Sequence, residues 1–193
     1  MGSPRVQSTY MKQFAGRVLL LGSRAERVVE LDPELFEAIA AAGRMTWLPA
    51  ELNLRMIDAP YAGLGPRRAH AFQAEQISAQ LGTPLWRSFV EGGVRLLGLD
   101  PGVLARWLPP ALGLIFRDCG TWTVEHGGSE SLDLVVRDLP ELLGAHPHWL
   151  DSVSGGVHAL FMICKTTGET EVTEVDAAAG TARIAMRWKP FLG

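Results

Sequence analysis

The spacing of apolar positions changes once along the chain, just after Arg117. Before it they recur every three to four residues, the period of a helix; after it come stretches in which every second residue is apolar, the period of a strand with one buried face. In the helical part a capping Asp or Thr followed by proline marks three starts: Asp32-Pro33, Thr83-Pro84 and Asp100-Pro101. Pro33 opens a helix with Leu35, Phe36, Ile39 and Ala40 on one side and Gly43 as its stop. Pro49 opens a second, carrying Leu52, Met56 and Ile57 and ending at Pro60. A third, over 66–81, has a weaker stripe around Phe72 and Ile77. From Pro84, a wholly apolar face runs through Leu85, Trp86, Phe89, Val90, Val94 and Leu97, with Gly92-Gly93 placed for a tight helix crossing. A short helix from Pro101 to Trp107 is broken by Pro109-Pro110, and residues 111–116 add one or two apolar turns.

After the change of period, Trp122 and Val124 alternate with Thr121, Thr123 and Glu125. Gly127-Gly128 makes a turn, and Leu132, Leu134 and Val136 alternate with Ser131, Asp133 and Arg137, which completes a β-hairpin. A helix follows from about Pro147. Its residues Trp149, Leu150, Val153, Val157, Leu160, Phe161 and Cys164 share an arc of about 120° at roughly 100° per residue. Strands over 169–176 and 181–188, joined by a turn at 178–180, form a second hairpin. The order predicts an α+β fold: N-terminal helices, then two antiparallel β-hairpins forming a four-stranded sheet, with the long amphipathic helix between them in sequence packed on one face. Residues 1–10 read as a disordered or vector-derived start, and 11–193 as a single α+β domain.

Composition narrows the classes of function. A chain of 193 residues that is 47% hydrophobic suffices for one buried core. A net charge of −3, from 18 Lys+Arg and 21 Asp+Glu, argues against nucleic acid as a partner, because phosphate binding draws its energy from cationic side chains. The sequence has no uninterrupted apolar run long enough for a membrane span and no signal-peptide core in its first ten residues, so a cytoplasmic location is expected. The two cysteines, Cys119 and Cys164, are too few and too far apart for a disulfide framework and are expected to be reduced and buried.

The polar candidates carry ordinary readings. His146 and His148 form a His-x-His pair, but Pro147 between them points to an exposed loop, and two ligands do not make a metal site. His158 falls about 60° outside the apolar arc of its helix at roughly 100° per residue, which places it away from the core. His126 sits beside the Gly127-Gly128 turn, and His70 beside Arg67 and Arg68 reads as a solvated helix start. Glu169, Glu171, Glu174 and Asp176 read as solvated strand charges that discourage edge pairing. Glycine-rich phosphate loops are missing, and no arrangement of nucleophile and base stands out, so no enzyme activity, catalytic residue or metal is expected.

Five segments carry a family resemblance: Gly16-Arg17-Val18-Leu19-Leu20, Trp47-Leu48-Pro49-Ala50-Glu51-Leu52, Gln80-Leu81-Gly82, Ile115-Phe116-Arg117-Asp118-Cys119-Gly120 and Met186-Arg187-Trp188. From Gly16 to Trp188 the chain resembles a family of unestablished function that myxobacteria carry in many paralogous copies. That family is similar in layout to four-vinyl-reductase-type sensor domains, haem-nitric-oxide-binding domains and TRAPP-like tethering subunits. The resemblance implies a non-catalytic ligand-binding sensor domain, with an apolar pocket between helices and sheet lined by Trp86, Phe89, Phe116, Trp122, Trp149 and Phe161. The ligand implied is a hydrophobic small molecule, and no cofactor is expected. The alternative is a homodimer or protein-interaction scaffold with a self-complementary patch at Gly92-Gly93 or Gly155-Gly156. Haem bound through His158 or Cys164 is a third, remoter reading. The chain departs from the wider group at two points: its last hairpin lacks the cysteines that hold a metal in sensor relatives, and the Tyr, Ser and Arg triplet that supports haem propionates is not visible.

Overall fold

The computed structural model describes residues 2–22, 32–81 and 100–189, so the helix expected from Pro84 lies outside the described residues. Strand β1 (Arg5–Gln7) and helix α1 (Ser8–Gly22) begin the fold, with Val6, Met11, Phe14 and Val18 wholly buried. The disordered start expected over residues 1–10 is corrected from Arg5 onward. The buried Ser8 hydroxyl donates to the Gly43 carbonyl at 2.8 Å and accepts from the Thr46 N–H at 3.1 Å, tying the segment to the chain around residue 45. Helix α2 (Pro33–Ala41) is capped as expected, with the Asp32 carboxylate accepting from the N–H groups of Glu34 and Leu35.

Strand β2 (Trp47–Pro49) leads into helix α3 (Ala50–Leu64), which runs through Pro60 instead of stopping there. Pro60 and Tyr61 are both buried, and core packing holds the turn that proline weakens. Helix α4 (Pro66–Leu81) follows. Helix α5 (Pro101–Ala105) starts on Asp100, whose side chain accepts from the Val103 N–H at 3.0 Å. The expected break falls at 106–107, ahead of the prolines: helix α6 (Leu108–Ile115) takes Pro109 and Pro110 into its first turn, where a missing N–H leaves no bond unmade. Strand β3 (Phe116–Arg117) pairs antiparallel with β1, which also pairs with β2, giving a small sheet of order β2-β1-β3.

The second half follows the predicted alternation. Strands β4 (Thr121–Gly128) and β5 (Ser131–Arg137) form the first hairpin. The short helix α7 (Glu141–Gly144) and the long helix α8 (Trp149–Cys164) come next, then strands β6 (Gly168–Asp176) and β7 (Thr181–Trp188). The sheet is antiparallel throughout, in the order β4-β5-β7-β6. Leu134 faces Ile184 and Val136 faces Ala182 across the central pair, all buried on the side that meets the helices. On the outer side the Arg183 guanidinium donates to Asp133 at 2.7 Å, Glu125 at 3.1 Å and Glu174 at 3.3 Å. Solvent-screened pairs of this kind contribute little, so the register rests on the buried face. Glu169, Glu171, Glu174 and Asp176 of the edge strand β6 are exposed, as expected.

Helix α8 occupies the centre. Phe161, expected to face the core, is 1% exposed and packs against Gly168 and Trp188 of the sheet. Another side of α8 crosses α4 so closely that a Cβ on Gly155 would lie 2.6 Å from the His70 carbonyl oxygen. The glycine pair expected to form a dimer patch is therefore used inside the chain, at Gly155 against His70 and Gln73 and at Gly156 against Ile77. Gly92-Gly93 lies outside the described residues.

Candidate ligand cavity

Helix α8 buries two faces rather than one. Phe161 packs against Gly168 and Trp188 of the sheet, whereas Trp149, Ser152, Val153, Gly156, Val157, Leu160 and Ile163 turn toward another side of the helix. This second face borders a cavity of about 130 Å³, closed by Asn53 and Ile57 of α3, Ile77 of α4, the α6 side chains and Phe116 of β3, with Tyr10 of α1. None of the described lining residues belongs to the four-stranded sheet. That corrects the expected position: the pocket lies among helices, because the sheet-facing side of α8 is already filled by Phe161 and its neighbours.

The anticipated lining residues separate accordingly. Phe116 and Trp149 line the cavity and meet edge to face, with ring centroids 5.6 Å apart. Trp122 stands behind Trp149 at 6.2 Å, and Phe161 is on the far side of α8. Trp86 and Phe89 lie outside the described residues. Sequence reasoning missed Tyr10, Asn53 and Ser152. A signal existed for Asn53, which stands three and four residues before Met56 and Ile57, a polar side chain within an apolar stripe.

No described lining side chain carries a formal charge. Burial pushes the Tyr10 phenol to ionise far above its ordinary range, so it stays protonated. Asn53, 1% exposed, donates through Nδ2 to Met11 Sδ at 3.3 Å, while its Oδ1 has no hydrogen-bond partner among the described residues. Trp149, 0% exposed, has none for Nε1.

The histidines gather elsewhere. His146 and His148 are not loop decorations: His148 stacks on Tyr61 with centroids 4.3 Å apart, and His146 Nε2 lies 3.4 Å from an Asp58 oxygen. The Tyr61 hydroxyl donates to Asp151 at 2.6 Å, and burial together with that carboxylate raises its pKa and keeps it protonated. His70 is not solvated either. Its Nε2 is 3.3 Å from Ser154 Oγ and 3.2 Å from Thr170 Oγ1, and its ring meets His158 edge to face at 5.7 Å. His158 is half-buried against Phe161; burial first, and His70 second, lower its basicity. Both cysteines are free and buried, and burial pushes the Cys119 thiol up to about 12 and that of Cys164 up to about 11. Among the described residues no three His, Cys, Asp or Glu side chains are grouped as a metal would need, and no helix is long and apolar enough to cross a membrane.

The architecture defines an α+β domain with an apolar cavity lined mainly by helices. No protein-family model matches the chain, and no curated protein matches it. Solved structures do match, and they are H-NOX proteins. An H-NOX variant from T. tengcongensis has a TM-score of 0.60 at 9% identity, covering 97% of this chain and all of the other. A variant of the Fe(II) unliganded H-NOX protein from K. algicida gives 0.53 at 10%, covering 96% and 98%. An oxygen-binding H-NOX domain related to soluble guanylate cyclases gives 0.54 at 10%, covering 95% of each. At such identities the likeness is one of fold.

These neighbours correct the expectation of a domain without a cofactor, since matching H-NOX structures are described by their haem distortion and haem redox potential. Haem iron needs an axial His, Cys, Met or Tyr ligand. The described cavity wall offers no imidazole, thiol or thioether, and its one phenol is held protonated. Segments 23–31, 82–99 and 190–193 contain no His, Cys, Met or Tyr to supply one. His158 and Cys164, considered for haem ligation, are not on the wall. The residues of this cavity do not fit haem.

Proposed function

We propose that the chain is a non-catalytic sensor domain that takes a small apolar molecule directly in the cavity between α3, α4, α6 and α8. The observation that carries this reading is the cavity itself: about 130 Å³, apolar on nearly every side and free of formal charge on its described walls. An apolar cavity of about 150 Å³ is enough to hold benzene. The shared fold supports the sensor class, because one of the matching H-NOX domains is an oxygen-binding domain in its oxygen complex. Kinship with the myxobacterial paralogous family rests on the short segments between Gly16 and Trp188 alone.

Titration with toluene, followed by calorimetry and by the NMR signal of the Trp149 indole N–H, tests the reading. Saturable binding at one site is expected. Ala111→Phe, which places a ring in the cavity from α6, should weaken it at least tenfold while far-UV circular dichroism stays unchanged. No saturable binding, or equal affinity in the wild type and the folded variant, would overturn it.

A further inference from the structure

Among the described residues, Asn53 Oδ1 and Trp149 Nε1 on the cavity wall lack partners, and they are of opposite kind. Asn53 Oδ1 is an acceptor without a donor, on a side chain 1% exposed whose other end is engaged with Met11. Trp149 Nε1 is a donor without an acceptor, on a side chain wholly out of solvent. Buried groups left in this state destabilise a protein, and most such groups are satisfied in native structures. Both residues belong to the wall of one neutral cavity and come from different helices, α3 and α8. Replacing either with an apolar residue would remove the defect, so the pair is understandable if an occupant completes it.

We infer that the occupant is a neutral ring-sized molecule bearing a hydroxyl, of the phenol or alicyclic alcohol class; this rests on the cavity reading above. A hydroxyl is the smallest group that both donates, as Asn53 Oδ1 requires, and accepts, as the Trp149 N–H requires. An aldehyde, ketone or ether accepts only and leaves Asn53 unserved. An ionised carboxylate or ammonium is disfavoured because the described wall supplies no counter-charge, and an unpaired charge in such surroundings is strongly penalised. The size of the cavity restricts the remainder to about one ring.

The test is a ligand series on the unmodified chain, so that it does not depend on a variant folding. Phenol, anisole, toluene and benzoate share a ring and differ in what they present: donor and acceptor, acceptor only, neither, and a negative charge. Phenol is expected to bind at least tenfold more tightly than toluene and more tightly than anisole, with benzoate weakest, and to shift the Trp149 indole N–H resonance more than toluene does. In Asn53→Leu the ratio of phenol to toluene affinity should fall at least fivefold. Equal affinities for phenol and toluene would overturn the hydroxyl assignment, leaving the two atoms to ordered water, while the apolar cavity would stand. Benzoate binding as tightly as phenol would overturn the neutral class. Failure of all four to bind would remove the cavity reading as well.

Discussion

Burial sets the behaviour of individual side chains more than their neighbours in sequence do. Cys119 donates to the backbone carbonyls of Arg117 at 3.3 Å and Arg5 at 3.5 Å, and desolvation is the largest influence on its thiol. Cys164 lies on the buried side of α8 and is raised for the same reason. A group whose pKa is raised by folding contributes stability that is complete below its unfolded pKa, near 9 for these thiols, and is lost as pH climbs toward the folded values of about 12 and about 11. Tyr10 is displaced in the same direction. The urea midpoint should therefore hold between pH 7 and 8.5 and fall by pH 10.5. A Cys119→Ala, Cys164→Ala double variant should fall less steeply over that interval. A midpoint unchanged to pH 10.5 would mean that neither thiol is buried as described.

Among the elements, the crossing of α4 over α8 is the contact least tolerant of change. Gly155 admits the His70 backbone and the Gln73 Cβ to distances that a methyl group would already violate, at 2.6 and 2.9 Å. Gly155→Ala must separate two helices that also border the cavity, and overpacking of this kind destabilises by about 1–3 kcal/mol; chemical denaturation should show a loss in that range, where an unchanged midpoint would place the crossing elsewhere. The same helix shows what could be read in advance and what could not. Its stripe from Trp149 to Cys164 is apolar at helical spacing, so its existence and its sheet-facing residues were legible, as were the four long strands with their strict alternation. The cavity side was legible only in part: Trp149, Val153, Val157 and Leu160 stand in the stripe, whereas Ser152, Gly156 and Ala159 are small or polar and do not register as a core pattern, although their small size leaves the space. The β2-β1-β3 sheet escaped for a different reason: strands of two or three residues are too short to show a period of two. Pro60, Pro109 and Pro110 misled because proline's effect depends on its position in a turn and on tertiary packing, which local sequence does not reveal.

At the scale of the whole molecule, a cavity inside the core is a place where stability and ligand binding become one quantity. Its walls come from α1, α3, α4, α6, β3 and α8, elements spread from Tyr10 to Ile163, so the site does not survive unfolding and a ligand held there binds the native state alone. The fold shared with H-NOX proteins does not by itself assign the occupant, since the residues on the wall differ in kind from what haem iron requires. They leave an apolar ligand as the agent that would couple the two halves. Toluene at ten times its dissociation constant should then stabilise the chain by about 1.4 kcal/mol. For a domain of this length that corresponds to a rise in Tm of about 3–6 °C. The increment should grow with the logarithm of toluene concentration above saturation, because linkage to the native state alone predicts that form. Ala111→Phe, with the cavity occupied by its own side chain, should show no such rise. A toluene-dependent fall in Tm, or an equal rise in the variant, would mean that the solvent-like ligand acts on the unfolded chain or at another surface rather than between these helices.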